Sequence, residues 1–241
     1  MEFLVLGWPP DGPSLRLDYR HFAYAGKFVM SNTGKAVVLE TDEEGGSVVS
    51  DAGDGCIVDT GDDTMLEAED DSGIGVGDDT GLDGEGDSGP GVEDDYDASV
   101  VAALAFNADR TDEATLWYRY ITVHSAAKGA AIGPRLAAFV APRAAERGYE
   151  RLRIAVNNPF AYEAMYKAGF EWTGAETGVA ELVLERPANG SPDTRLRDAD
   201  VDAYRAGLDR FRERDLGDPE ASFLSERIGS GLPAPCDVPG A

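Results

Sequence analysis

Two strand-like segments alternate with two helix-like segments in the middle of the chain, and this order restricts the fold more than any other feature. Thr115–Val123 reads as a strand and leads, through a loop of small residues, into a helix predicted over 132–147. A second strand, Arg151–Val156, is followed by a short helix over 159–168, which Gly169 ends. A strand that delivers a small-residue loop to a helix N-terminus lets backbone N–H groups approach a phosphate, so this stretch predicts an anion-binding site.

Further strands are predicted on both sides of this stretch. Val100–Phe106 is a nearly continuous apolar run, which is typical of a strand buried on both faces. Phe170–Gly174 and Val179–Glu185 read as a hairpin. The resulting order of strand, strand, helix, strand, helix, strand, strand predicts a mixed α/β sheet with helices packed against it.

The first 40 residues are also predicted to fold. Phe3–Leu6 is strand-like, whereas Leu15–Tyr19 fits either a strand or a helical stripe, and the sequence leaves that choice open. Residues 27–40 read as a strand, an Asn-Thr-Gly turn and a second strand. We expect these elements to supply the opening part of the same domain.

The acidity of the chain is concentrated in one segment. The formal net charge is −25, and residues 41–97 hold 21 of the 46 acidic residues but no Lys, Arg or His. Ordering this segment would cost on the order of 60 to 100 kcal/mol of backbone entropy, and there is little apolar surface to offset that cost. The segment therefore reads as a disordered insertion in a loop between neighbouring strands.

The composition also excludes some classes of partner. Nucleic acids and anionic membrane surfaces are bound largely through Lys and Arg, so a chain this acidic is a poor candidate for either. Abundant Asp, Ala and Gly with only 4 Lys are typical of proteins from a salt-adapted cytoplasm. Cys56 and Cys236 have no disulfide or metal-site spacing, and no apolar run has the length of a membrane span. We predict a soluble, cytoplasmic protein without a metal.

Three parts are predicted along the chain. Residues 1–40 and 98–187 form the α/β domain, 41–97 form the acidic insertion, and 188–241 form a C-terminal extension. The extension is predicted to hold a helix around Tyr204, a second short helix near Pro219–Ile228, and a disordered tail.

Two residue patterns lie in the central stretch. The first pattern has three defined positions: an Arg or Gln, then after two residues a Gly, then after one more residue a Gly or Ala. In this chain the three positions are occupied by Lys128, Ala131 and Gly133. The second pattern is an Asn, then after two residues an Ala, then after three residues a Tyr, and after three more residues Gly-Phe. Counting back from Gly169-Phe170 places its Asn at Asn158 and its Ala at Ala161. Together these patterns resemble the acyl-CoA-binding core of the GNAT N-acetyltransferase family, over about residues 98–186.

The resemblance implies a GNAT-like acyl-CoA N-acyltransferase fold and a transfer of acetyl from acetyl-CoA, as co-substrate, to an amine acceptor in a ternary complex. Ala131 replaces a glycine of the family pattern, and we expect this to be tolerated only with a negative φ. The CoA-binding residues implied by the resemblance are Ile121, Val123, Lys128, Gly129, Ala130, Ala131, Ile132, Gly133, Pro134, Asn158 and Ala161.

The catalytic residues that the resemblance implies are less well defined. The family's proton-donating Tyr falls on Met165, and Tyr166 lies one residue later, which is a rotation of about 100° on a helix. Tyr166 is the candidate general acid, with core packing as its alternative role. His124 is the candidate general base, with a water relay or an exposed loop position as alternatives. A backbone N–H near Ile121–Val123 would hold the oxyanion.

Other interpretations stay open. The fold could bind acyl-CoA or a partner protein without catalysis, or the acidic insertion could serve as an interaction segment. The stretch Asp83–Asp94 begins like a Ca²⁺ loop but departs from it at the sixth and twelfth positions. The sequence leaves a homodimer and the identity of the amine open. Six aromatic residues could line an acceptor pocket or fill the core: Trp8, Phe22, Tyr24, Phe28, Tyr118 and Tyr120.

Overall fold

Seven strands form one sheet in the computed structural model, which describes residues 1–41, 96–97, 99–198 and 200–240. Their order across the sheet is β1-β2-β3-β4-β5-β7-β6. Neighbouring strands are antiparallel except β4 and β5, which are parallel. The strands are β1 Glu2–Gly7, β2 Gly34–Leu39, β3 Val100–Ala108, β4 Thr115–Val123, β5 Arg151–Val156, β6 Glu171–Glu176 and β7 Leu182–Pro187.

Five α-helices accompany the sheet in the described part of the chain. They are α1 Ile132–Ala145, α2 Pro159–Lys167, α3 Pro192–Asp198, α4 Val201–Arg212 and α5 Asp218–Glu226. Because parallel strands need a crossover connection, α1 joins β4 to β5. The predicted mixed α/β fold and the predicted element order from β3 to β7 are confirmed; α3 was not predicted.

Each face of the sheet has its own hydrophobic core. On one face, α1, α2 and the C-terminal helices pack on strand residues such as Leu104, Leu116 and Leu152. On the other face, the connection between β1 and β2 packs Leu15, Phe22 and Phe28 onto Val37, Val100, Ala103 and Ala105. We name these the helix face and the open face. The alanines of β3 let both layers approach the strand closely.

The acidic segment leaves and re-enters the sheet between adjacent strands. Leu39 of β2 pairs with Val100 of β3, and the Glu40 N–H donates to the Ser99 carbonyl at 2.8 Å. All described residues belong to one compact unit, Met1–Asp42 with Asp95–Ala241. Residues 42–95, with Cys56 and the segment compared with a Ca²⁺ loop, lie outside the described residues. The predicted domain boundaries stay predictions.

The segment before β2 differs from its prediction. Only the second strand of the predicted strand-turn-strand exists, because the sheet edge beside β2 is taken by β1, with Phe3 paired to Val38. Phe28 is fully buried in the open-face core, whereas Val29 and Met30 are exposed in turns. Leu15–Tyr19 is neither strand nor helix.

The tail was wrongly predicted to be disordered. Residues 229–240 contain no helix or strand, yet the Cys236 N–H donates to the Lys167 carbonyl at 2.9 Å. Leu232, Cys236 and Val238 are partly buried against the helix-face core. Burial of these three side chains offsets part of the entropy cost of ordering the tail.

Candidate active site

A β-bulge and a strand divergence coincide in the middle of β4. Ala105 of β3 pairs with Tyr120, whereas the next residue, Phe106, pairs with Tyr118, so Arg119 is an extra residue in β4. The parallel ladder to β5 ends at the pair Tyr118 and Ile154. Beyond that point the edge of β4 toward β5 has no strand partner, and its backbone N–H and C=O groups are open to a ligand.

The bulge also changes which side chains share a face. The Tyr118 hydroxyl donates to the Ala137 carbonyl of α1 at 3.0 Å, so Tyr118 points to the helix face. Ile121 and Val123 also point to the helix face, against the first turn of α1. If side chains alternated between the two faces along β4 without interruption, Tyr118 would lie on the other face of the sheet from Ile121 and Val123. The extra residue at Arg119 reverses the alternation and brings all three side chains to one side.

The small-residue loop delivers an uncapped helix to this divergence. A Cβ at Gly133 would lie 3.4 Å from Val123 Cγ2 and 3.8 Å from Ile121 Cδ1, so the end of β4 and the start of α1 meet there. α1 has no side-chain cap and no acidic residue in its first turn. Because the first N–H groups of a helix have no intrahelical partner, those of Ile132 and Gly133 can bind an anion.

The loop conformation contradicts one expectation from the sequence. Ala131 lies in the left-handed region, with φ 55° and ψ 24°, although we expected an alanine here only with a negative φ. A non-glycine residue in this region costs about 1–2 kcal/mol, and such strain is typical of functional loops. Gly129 has φ 85° with open space around it, while Lys128 and Ala130 are exposed. The buried Pro134 fits the first helical turn.

The second residue pattern has a local explanation in helix capping. Asn158 is the N-cap of α2, and its Oδ1 accepts the Ala161 N–H at 2.8 Å. Gly169 has φ 83° at the helix end, where the Phe170 N–H donates to the Met165 carbonyl at 3.0 Å. The pattern thus fixes both ends of α2. Since α2 follows β5 directly, Asn158 and Ala161 lie on the β5 side of the divergence.

Tyr166 and Met165 are both buried in the core. The Tyr166 hydroxyl accepts the Trp172 N–H at 3.0 Å and lies 3.3 Å from the Tyr162 hydroxyl. Its ring packs edge-on against Tyr204 of α4. Burial raises the pKa of the Tyr166 phenol, which makes it a weaker acid. These contacts favour the core-packing alternative, and the general-acid role of Tyr166 stays a prediction.

His124 is held by the loop it begins. Its Nδ1 accepts the Ala126 N–H at 3.2 Å, and its ring stacks on His21 at 4.6 Å. From this hydrogen bond we infer that the proton of the neutral imidazole is on Nε2. The basic nitrogen of the ring is therefore turned toward the loop backbone and hydrogen-bonded there, which disfavours His124 as general base.

A groove on the open face borders the bulge, and the sequence did not predict it. It has a volume of about 460 Å³ and is lined by the Met30–Thr33 turn, by Asn107 and Arg110, and by Arg119 and Tyr120. Of the six aromatic candidates for an acceptor pocket, Tyr120 lines the groove and Tyr24 packs beside it at 5.9 Å. Phe22, Phe28 and Tyr118 are core residues, and Trp8 packs against Phe106.

A buried charge cluster behind α2 was also missed, because its members come from distant parts of the sequence. The Glu163 carboxylate accepts from Arg227 Nε at 2.8 Å, from Lys167 Nζ at 2.8 Å and from the Tyr204 hydroxyl at 3.3 Å. Burial opposes ionisation of Glu163, but Arg227 and Lys167 outweigh it and lower its pKa. The cluster attaches the C-terminal extension to α2.

Glu163→Gln is expected to cost about 2 kcal/mol of stability at neutral pH, because hydrogen bonds to a charged group are lost. A carboxyl whose pKa is lower in the folded than in the unfolded protein stabilises the fold at pH values above its unfolded pKa, near 4.5. This contribution disappears as the pH falls through the lower pKa of the folded state. Urea unfolding should therefore show a constant difference from wild type above about pH 5.5 and a shrinking one below pH 4.5. Glu226→Gln, which removes an exposed partner of Arg227, is the control. A pH-independent difference would contradict the prediction.

Metal-binding side-chain groups and membrane-spanning helices are both absent from the described residues. No group of three or more His, Cys, Asp or Glu side chains there is placed to hold a metal ion. Among the same residues, none of the helices has the length and apolarity that crossing a membrane requires.

Comparison with protein families gives one match. Residues 63–170 match the model of the acetyltransferase (GNAT) family, and part of that match lies outside the described residues. The match supports a GNAT acetyltransferase, in agreement with the resemblance read from the residue patterns. No curated protein matches the chain.

Solved acetyltransferase structures align with part of the chain. Nourseothricin acetyltransferase is 21% identical over 39% of this chain and 62% of its own, with a TM-score of 0.35. An N-acetyltransferase from Staphylococcus aureus Mu50 is 20% identical over 39% and 65%, with a TM-score of 0.35. PaiA N-acetyltransferase from Thermoplasma acidophilum, in complex with coenzyme A, is 15% identical over 38% and 56%, with a TM-score of 0.33. The chain thus spans about three fifths of the length of these structures.

Proposed function

We propose that this chain is an N-acetyltransferase that moves an acetyl group from acetyl-CoA to a primary amine by direct attack in a ternary complex. The observation that carries the proposal is the coincidence of the β4 bulge with the divergence of β4 from β5, beside an uncapped helix N-terminus. The match of residues 63–170 to the GNAT family model supports it. With acetyl-CoA as co-substrate, we place the protein in the cytoplasm.

Each part of acetyl-CoA has a place of suitable chemistry in this arrangement. The pyrophosphate would accept the N–H groups of Ile132 and Gly133, at the positive end of the α1 dipole. The pantetheine amides would hydrogen-bond the free edge of β4 beyond Tyr118, in the manner of an added strand. The thioester would then lie at the bulge, where a β4 N–H can bind its carbonyl oxygen. This places the oxyanion donor nearer Arg119 than Ile121–Val123.

The reaction needs one nucleophile and two proton transfers. The lone pair of a neutral amine attacks the thioester carbon, the C–N bond forms, the C–S bond breaks, and the electron pair leaves on sulfur. The amine loses a proton and the CoA thiolate gains one. Because the basic nitrogen of His124 is hydrogen-bonded to the loop backbone and the Tyr166 hydroxyl is bound in the core, we assign both transfers to water.

A second candidate function follows from the positions of His124 and Tyr166. A chain that holds acyl-CoA at the divergence but has neither a free imidazole nor an exposed phenol there could act as an acyl-CoA-binding protein without turnover. The β4 segment next to the divergence carries no carboxylate that could replace them. This candidate differs from the first only in chemistry, so an activity measurement separates them.

A thiol-release assay with acetyl-CoA and a panel of amines tests the proposal. The panel holds a polyamine, amino acids, an aminoglycoside and a lysine peptide, each measured at low and at high salt. Amine-dependent release of CoA, with acetylated product identified by mass spectrometry, is the expected result. CoA binding by calorimetry without turnover on any amine would reject the enzyme and favour the binding protein.

A further inference from the structure

Two arginines line the groove beside the bulge and a buried lysine lies behind it, in a chain whose formal charge is −25. Arg110 and Arg119 line it, and Lys35 lies beneath the Met30–Thr33 turn that forms one wall. In the described part of the chain, no carboxylate lies within ion-pair distance of any of the three. Arg151 and Arg153, on the neighbouring strand β5, do have acidic partners. We name this surface the cationic groove.

Arg119 is held with its charged end available. Its Nε donates to Asn107 Oδ1 at 2.6 Å, and its guanidinium lies over the Trp117 ring at 5.2 Å. Trp117 is itself fixed by a hydrogen bond from its indole N–H to Asp109 at 2.5 Å. These contacts use one of the five guanidinium N–H donors. The remaining donors form the planar fork that binds a carboxylate or a phosphate through two parallel hydrogen bonds.

Lys35 adds a fixed positive charge behind the groove wall. Its fully buried ammonium donates to the Met30 carbonyl at 2.6 Å, the Thr33 carbonyl at 3.0 Å and Thr33 Oγ1 at 2.6 Å. Three acceptors match the three donors of an ammonium group. The three hydrogen bonds order the turn, and the ammonium group adds positive potential behind the groove, although burial lowers the pKa of Lys35.

The groove is adjacent to the place assigned to the thioester. Arg119 is the bulge residue, and its neighbour Tyr120 lines the same groove. The groove has a volume of about 460 Å³ and is open to solvent on one side, so a small ligand could enter it from the surface. A ligand whose anionic group binds Arg110 and Arg119 would therefore extend from the open face toward the bulge, where the acetyl group is transferred.

We propose that the cationic groove is the acceptor site and that it selects amines which also carry an anionic group, a carboxylate or a phosphate. This inference rests on the proposed acetyl transfer. Arg119 and Arg110 bind the anion and orient the amine, and the side chains of Tyr120 and Met30 contact the carbon chain between the two groups.

Matched substrates test the selection. We would compare 4-aminobutanoate, 3-aminopropylphosphonate and the uncharged 4-aminobutanamide by kcat/KM with saturating acetyl-CoA. One or both of the anionic amines should exceed the amide by about 10-fold or more, the value of a charge-assisted hydrogen bond. The better of the two identifies the anionic group. Equal or better use of the amide would overturn the proposal while leaving the transferase function intact.

Variants then test which arginines cause the preference for anionic amines. Arg119→Gln and Arg110→Gln should each remove most of the preference for the anionic amine and leave CoA affinity unchanged by calorimetry. Arg147→Gln, which removes an arginine stacked on Trp8 on the helix face, is the matched control. A preference that persists in both groove variants, or a loss of CoA affinity in them, would contradict the assignment.

A direct binding measurement keeps the proposal testable if no amine is acetylated. Titration of 4-aminobutanoate, 3-aminopropylphosphonate and 4-aminobutanamide into the CoA-bound protein, followed by calorimetry, should show binding of an anionic amine only. Arg119→Gln should abolish it. Absence of anion-dependent binding would overturn the groove assignment, whereas binding without turnover would reject the transferase function and leave the groove as an anion-selective binding site.

Discussion

Replacing Gly207 with alanine is expected to destabilise the fold by about 3 kcal/mol, the cost of overpacking a close contact. A Cβ at this position of α4 would lie 1.9 Å from the Tyr162 hydroxyl and 2.4 Å from Cζ of the same ring. Tyr162 cannot yield easily, because its ring stacks on Tyr204 at 5.7 Å and packs against Tyr166 at 4.9 Å. The substitution must therefore separate α4 from α2 or force Tyr162 out of the core.

The sign of this effect is diagnostic. In a helix interior without the contact, Gly to Ala stabilises by about 1 kcal/mol. Denaturant unfolding of Gly207→Ala would show which effect wins, with Gly26→Ala as the control, since nothing lies within 4 Å of a Cβ at Gly26. The double variant with Tyr162→Leu should cost less than the sum of the single changes. An unchanged or more stable Gly207→Ala protein would show that α4 does not pack on Tyr162 as described.

The same contact attaches the C-terminal extension to the α/β fold. Tyr162 and Glu163 are consecutive residues of α2, and they bind α4 and Arg227, respectively. The tail then reaches the end of α2 through the hydrogen bond from Cys236 to Lys167. Because α2 also carries Asn158 at the divergence, loss of the extension should disturb that side of the candidate site.

Much of the fold could be predicted from local sequence signals. The apolar run of β3, the alternation of β5 and the helical stripe of α1 follow from periodicities that burial itself imposes. The segment Phe28–Ser31 was wrongly predicted to be a strand, because strand propensity does not say whether a neighbouring sheet edge is free to pair with it. The packed tail misled it because three scattered apolar side chains give no periodic pattern.

The candidate site was predictable only in its backbone features. Gly133 marked the close approach of α1 to β4, and Asn158 marked the start of α2. The bulge at Arg119 left no signal, since one extra residue in a strand changes pairing without changing composition. It nevertheless reversed the faces of β4 and placed Arg119 and Tyr120 in the cationic groove. Contacts between distant residues, such as Glu163 with Arg227, are likewise invisible in a single sequence.

Gly133→Glu is expected to lower CoA affinity by about 100-fold, or ~2.7 kcal/mol. The new carboxylate would lie at the N–H groups proposed to bind the pyrophosphate. Two like unit charges about 4 Å apart near a protein surface repel each other by about 4 kcal/mol. Screening by salt and rotation of the side chain reduce that repulsion. Calorimetric titration with CoA measures the loss.

The Cβ of the new side chain fits, and a neutral variant of the same shape separates the charge effect from damage to the protein. A Cβ at Gly133 makes only ordinary contacts, with Val123 at 3.4 Å and Ile121 at 3.8 Å. The first turn of α1 holds no acidic residue, so a glutamate there interacts favourably with the helix dipole. Gly133→Gln has the same shape without the charge, and it should retain more CoA affinity than Gly133→Glu. Equal CoA affinity in wild type and Gly133→Glu would show that the phosphates bind elsewhere, because no anion could share the N-terminus of α1 with a carboxylate at no cost.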